Sequence, residues 1–269
     1  MFSFWMSRIT PFHLVDLSPW PVIGSFSGFS VAVGLLFFLN KKGYFVMFVA
    51  LVLLLVLCYF WWVDVTREST YTRFHTICVQ KNLLLSMIWF IISEVFFFFR
   101  FFWTFGHSSV DPVTDLGIMW PPAGVVVLNP VAVPLLNTLV LLSSGFLVTW
   151  AHYSLLLRNF SGSIKGMIGT ISLGVFFTVL QVSEYFESGF NITDSVYGSI
   201  FFLATRFHGF HVLVRSIFLI VSTLRLLKGH FTISHHVRLE CAIWYWHFVD
   251  VVWIFLYMCI YLWGSSPLV

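Results

Sequence analysis

Three carboxyl groups stand inside or at the ends of long apolar runs: Glu94, Glu184 and Asp250. An ionisable side chain at bilayer depth is costly, so each calls for a partner or a role. Asp250 shares a helix face with His247, three residues earlier, and Trp246 and Trp253 bracket that face. The pair reads as a His–Asp hydrogen bond that satisfies two buried polar groups, or as a proton relay. Glu94 lies deep in LLSMIWFIISEVFFFFRFFWTF (Leu84–Phe105), with no basic residue three or four positions away. It suits proton handling, exposure to lipid or a hydrogen bond across helices. Glu184, with Glu187 in SEYFES, lies near the end of its run where a carboxylate can reach interfacial water, and it reads as structural as readily as functional.

His208 and His211, in FHGFHV, have the i, i+3 spacing that can present two imidazoles to a metal or haem. No carboxylate or thiolate accompanies them at ligand spacing, so packing between helices is the better reading. Cys58, Cys78, Cys241 and Cys259 have no CxxC spacing and read as packing residues, and no metal ligand set emerges. Arg225, Lys228 and His230, with His235 and His236, form a basic cluster suited to an anionic lipid headgroup. Arg67 and His75, following Trp61 and Trp62, offer a second such site at the same level. A general excess of basic residues on one side explains the charges equally well, but not the histidines.

These residues need membrane helices to position them. Of 269 residues 59% are hydrophobic and 9% charged, which points to a polytopic membrane protein. A formal charge of +3 on scattered Lys and Arg excludes a nucleic-acid binder. The opening MFSFWMSRITPFHLVDLSPWP has neither the order of a signal peptide nor an Arg-rich presequence, in keeping with synthesis inside the organelle served. Seven spans are expected, at about Trp20–Leu39, Tyr44–Val63, Leu84–Phe105, Val131–Ala151, Gly166–Tyr185, Ser195–Leu224 and Cys241–Gly264. A polar loop from Asp64 to Asn82 and a Pro-containing stretch from Gly106 to Asn129 lie between spans. Arg8, Arg67, Arg73, Lys81, Arg158, Lys165, Arg225, Lys228 and Arg238 fall on one side, and only Lys41 and Lys42 on the other. This asymmetry puts the N-terminus inside and the C-terminus outside.

The runs SPWP (Ser18–Pro21), WWVDVTREST (Trp61–Thr70), ISEVFFF (Ile92–Phe98), FFWTF (Phe101–Phe105), WPPAG (Trp120–Gly124), LNPVAVPLLNT (Leu128–Thr138), TWAH (Thr149–His152), SEYFE (Ser183–Glu187), FHGFHV (Phe207–Val212) and WYWHFVDVVWIFLY (Trp244–Tyr257) stand in this order. Together they closely resemble the family of mitochondrial cytochrome c oxidase subunit III, over Ser18 to Ser265. The resemblance implies an all-α integral membrane fold: one membrane domain over 1–269, with seven transmembrane helices in a V. Helices one and two (about 20–63) lean away from a bundle of helices three to seven (about 84–264), with phospholipids in the cleft. It implies a subunit of the mitochondrial inner membrane, N-terminus on the matrix side, without haem or copper. Those cofactors belong to partner subunits that oxidise cytochrome c, reduce oxygen and pump protons. The family packs on oxidase subunit I, supports sustained proton uptake, protects against inactivation in turnover and provides a lipid-lined route for oxygen. Its carbodiimide-reactive acid falls on Glu94, and its headgroup contacts on Trp62, Arg67, Glu68, His75, Arg225, Lys228 and His230. His247 and Asp250 stay proton-related candidates from the residue reading. Other classes fit less well. The last span has no lysine for a retinal Schiff base, and a haem carrier would rest on His208 and His211 alone.

The chain departs from the family pattern in one way. Arg73, Arg100, Arg158, Arg206, Arg215 and Arg238 stand where the resemblance implies glycine. Arg100, Arg206 and Arg215 fall inside spans, at roughly 2.5–3.5 kcal/mol for each central arginine. Either these arginines pair across helices with Glu94, Glu184 and Asp250, or AGA and AGG codons that mean glycine have been read as arginine. A replacement confined to one residue pair and indifferent to burial favours the second explanation.

Overall fold

The computed structural model describes residues 11–72, 74–112, 118–233 and 235–265; Arg8 and Arg73 lie outside them. Among the described residues seven helices are long and apolar enough to cross a membrane. They are α1 (Trp20–Leu39), α2 (Phe45–Thr70), α3 (Ile77–Val110), α4 (Val133–Leu156), α5 (Phe160–Glu187), α6 (Val196–Leu227) and α7 (Val237–Leu256), the last continued by a π-helical turn, Tyr257–Trp263. Prolines sit in the first turns of α1 and α4, where a missing N–H breaks no intrahelical bond.

Several helices outrun the apolar spans. The stretch from Asp64 expected as loop stays helical to Thr70, α3 begins at Ile77 and runs on to Val110, and the Ser/Gly stretch at 161–163 is the first turn of α5. Hydropathy marks the lipid boundary, whereas backbone hydrogen bonding carries a helix on into water. At about 1.5 Å per residue, the 34 residues of α3 span about 51 Å, against a hydrocarbon core of about 30 Å.

The chain divides into two compact units, the first ending at Leu83 and the second beginning at Leu84. In the first, α1 and α2 pack as a close hairpin. A Cβ on Gly34 would lie 2.6 Å from Met47 Cα, so only glycine permits this backbone approach. At the far end Trp20 Nε1 donates to Asp64 Oδ2 at 2.7 Å, and Trp20 stacks on Phe60.

The second unit is a bundle with α7 at its centre. α4 and α5 meet through small residues: a Cβ on Gly166 would stand 2.8 Å from Ala151 Cβ. Trp246 of α7 lies across Gly174, and its Nε1 donates to Ser144 Oγ at 3.0 Å. Trp253 Nε1 donates to Thr138 Oγ1 at the same distance. Lipid tails are as apolar as leucine side chains, so close approach at glycines and interhelical hydrogen bonds hold such a bundle together. Asn159 and Ser195 cap α5 and α6 by accepting from Gly162 N and Gly198 N.

The turn between α4 and α5 bears on the arginine pattern. Arg158 has φ +63°, and its N–H donates to Leu155 O while Asn159 N–H donates to Ser154 O. The end of α6 repeats this arrangement with Gly229 at φ +68°, where Gly229 N–H donates to Leu226 O and His230 N–H to Arg225 O. Position 158 thus has the left-handed backbone of a glycine helix stop, where a side chain costs about 1 kcal/mol. Arg100 and Arg206 are exposed on their helices, with no carboxylate partner among the described residues, and Arg206 lies over Phe202. Tandem mass spectrometry of peptides from the purified protein is expected to show glycine at 158, 206 and 215. Arginine masses at these positions would contradict the glycine reading.

Candidate functional site

Glu94 leaves the middle of α3 and meets His211 of α6. Glu94 Oε2 lies 2.8 Å from His211 Nε2, with side chains 21% and 9% exposed. His211 Nδ1 lies 2.7 Å from Phe207 O. A carbonyl only accepts, so Nδ1 carries a proton and donates it there. The Nε2–Oε2 contact must then contain one proton, held by the imidazole as an ion pair or by the carboxyl as a neutral hydrogen bond. Phe98 packs edge-on to the imidazole at 5.0 Å, with Phe97 and Tyr245 close by. The geometry therefore holds a single shared proton among aromatic rings, within a membrane-spanning segment. The sequence offered Glu94 and His211 separately; 117 residues separate them, and nothing local joined them.

His208 turns the other way. Its Nε2 lies 3.2 Å from Val249 O, and its ring packs against Trp253 and Phe177. Both histidines of FHGFHV are thus engaged in helix packing, as the residue reading favoured.

The expected His247–Asp250 hydrogen bond does not form. Asp250 Oδ1 takes Arg215 Nη1 at 2.5 Å, and the same nitrogen donates to Trp246 O at 3.0 Å. The guanidinium also lies 4.0 Å from the Trp246 ring centre. His247 Nε2 faces Thr149 Oγ1 at 3.3 Å instead. Both side chains lie over Gly145, as their shared face requires, but Arg215 reaches across from α6 and captures the acid. Of the three acid–arginine pairs considered, this one forms. It is poorly satisfied, because Arg215 Nε and Nη2 are buried without acceptors.

Glu184 is only 2% exposed, so its carboxylate is a core group away from interfacial water, in keeping with the structural reading. Its Oε2 accepts from Gln181 Nε2 at 3.0 Å. Gln181 also bonds Tyr261 and Asn137, making a buried network across α4, α5 and the end of α7.

The residues expected at lipid headgroups fall into two groups, one in each unit. In the first unit Trp62 and Arg67 are exposed near the end of α2, Glu68 pairs with His13 at 3.3 Å, and His75 packs edge-on to His13. In the second, Arg225 lies over Phe231, Lys228 ends α6, and His230 follows. Burial, and then the positive charges of Arg225 and Lys228, push the His230 imidazole below its ordinary value. One cluster escaped the sequence reading altogether: His152, His236 and Glu240 bring their ligand atoms within 4.8 Å of one another.

Fold and site together define a helical, multi-pass membrane protein whose buried chemistry consists of acid–base pairs between helices. The sequence profile described as cytochrome c oxidase subunit III matches residues 10–265. Cytochrome c oxidase subunit 3 of Myxine glutinosa is 53% identical over 254 residues, covering 94% of this chain and 97% of its own length. That of Equus caballus is 54% identical with the same coverage. That of Pisaster ochraceus is 52% identical over 260 residues, covering 97% of this chain and all of its own. The chain belongs to the cytochrome c oxidase subunit III family and is a subunit of that oxidoreductase complex.

The Glu94–His211 contact can be weighed by a double-mutant cycle on the purified complex. Glu94→Ala leaves His211 Nε2 without its partner and is expected to cost about 1–3 kcal/mol. His211→Ala should cost a similar amount, and the two together less than the sum, with a coupling of roughly 0.6–1.7 kcal/mol. Additive losses in thermal stability would show that the contact contributes nothing.

Proposed function

We propose that this chain is the non-redox core subunit of the mitochondrial terminal oxidase, and that it sustains proton supply to the catalytic subunit. The observation that carries this reading is the Glu94–His211 pair, a proton-holding group inside a membrane segment. In this role the chain lies in the inner membrane with its N-terminus on the matrix side and packs on oxidase subunit I. It binds no haem or copper of its own. The engagement of both ring nitrogens of His211, with Phe207 O and Glu94, supports this, since it leaves His211 no nitrogen to serve as an axial ligand. Electron transfer from cytochrome c to oxygen proceeds in the partner subunits.

Phospholipid is the second element of the reading. Trp62, Arg67, Glu68 and His75 in one unit, and Arg225, Lys228 and His230 in the other, are the groups assigned to anionic headgroups. Long basic side chains with aromatic neighbours suit a phosphate at the interface, at about 1 kcal/mol per Lys or Arg near the surface. His247 faces Thr149, and Asp250 pairs with the arginine written at position 215, so glycine at that position frees Asp250 and keeps it a candidate for proton traffic.

The test separates chemistry from maintenance. Glu94→Gln keeps a hydrogen-bonding group but not an exchangeable acid, whereas Glu94→Ala removes both. Oxidase bearing either variant is expected to show normal initial oxygen consumption, then to pump fewer protons or lose activity sooner over many turnovers than wild type. Unchanged pumping and unchanged lifetime in both variants would return Glu94 to a purely structural role.

A further inference from the structure

We infer that His152, His236 and Glu240 form a binding site for a divalent metal ion, with zinc the best match to the donor set. His152 lies in the last turns of α4, His236 directly precedes α7, and Glu240 is one turn into it. His152 Nε2 is 3.4 Å from His236 Nε2, and His236 Nε2 is 3.2 Å from Glu240 Oε1. Ligands held about 2.0–2.1 Å from a tetrahedral zinc stand about 3.3–3.4 Å apart; these two separations match such edges, and the third, His152 to Glu240, lies within 4.8 Å and would close on binding.

Proton placement points the same way. His236 Nδ1 lies 3.1 Å from Thr232 O, and a carbonyl only accepts, so Nδ1 holds the ring proton. That hydrogen bond fixes the tautomer and the ring plane, as the outer partner of a metal-bound histidine does. In the neutral ring the Nε2 lone pair then faces a carboxylate oxygen at 3.2 Å, and two acceptors at that distance repel. Something positive must lie between them, a second proton on His236 or a cation. With the other tautomer of His152, whose Nε2 lone pair also turns inward, a cation can take all three groups at once, whereas an added proton on His236 serves only one of them well. Two imidazoles and one carboxylate are a borderline donor set that suits zinc better than magnesium or calcium. The His236 side chain is 7% exposed and that of Glu240 28%, so an ion can enter past the glutamate and keep a water as fourth ligand. A bound ion would tie the end of α4 to the start of α7, two helices that sequence places 84 residues apart at these histidines.

The experiment uses the assembled oxidase, stripped with a chelator and then titrated with zinc chloride, with bound zinc counted by elemental analysis. Zinc K-edge absorption reports the ligands of each equivalent. Wild type is expected to take up one equivalent whose spectrum fits two imidazoles and one carboxylate. His236→Gln and Glu240→Gln are expected to weaken that equivalent by roughly 10- to 100-fold, the range seen when a metal site loses part of its shell. Lys165→Gln, which removes an exposed charge on α5, should leave it in place. Glu240 is partly exposed, so its variant keeps the test decisive where His236→Gln fails to assemble. An unchanged equivalent in Glu240→Gln would overturn the site, and so would wild-type oxidase that takes up no zinc with two-imidazole coordination.

Discussion

A carboxyl group at bilayer depth must find its partner inside the protein, and in this chain Glu94 finds it in His211. The consequence reaches beyond the pair. Only Phe98, Phe105 and Ser109 of α3 are buried within the chain, and just 6% of its most apolar window is covered. Such a helix gains little from apolar contact, because the lipid that would replace its neighbours is equally apolar. The Glu94–His211 hydrogen bond and the rings of Phe98 and Phe105 therefore fix its rotation. The same rotation sets which aromatic rings surround the shared proton. Architecture and chemistry rest on one contact.

The rest of the bundle answers the same constraint by other means. α7 is 56% buried across its window and meets its neighbours with indoles laid over small residues, each indole N–H donated to a hydroxyl. Glu184 is absorbed into an amide and phenol network, and Asp250 into a pair with Arg215. Each of these acids thus has a different companion, and that of Glu94 is an imidazole whose other nitrogen already donates to a backbone carbonyl. That difference separates a candidate for proton handling from groups that hold helices together.

Much of this was legible in the sequence, and the failures have physical causes. Spans were found because about 20 apolar residues are a long-range signal of thickness. Their ends were misplaced at Asp64–Thr70 and Ile77–Leu83, because the helix continues there with polar residues. Glu94 was recognisable as an acid without a local partner, but pairing to His211 depends on how α3 and α6 pack, which no periodicity encodes. His247 and Asp250 did share a face as their spacing required, yet a residue from another helix took the bond. The His152–His236–Glu240 cluster was missed for a related reason. His236 and Glu240 have helical i, i+4 spacing that local inspection can find, but the third member comes from α4. At Arg158 the family resemblance flagged the departure, and the backbone supplied an independent reason for glycine.

The central claim is that Glu94 and His211 share one proton within the membrane. Isotope-edited infrared difference spectroscopy of the purified oxidase can follow the Glu94 carboxyl across a pH titration. The account predicts a carboxyl signal that Glu94→Gln abolishes and that His211→Ala shifts in both frequency and titration. A Glu94 signal unchanged by His211→Ala would contradict it.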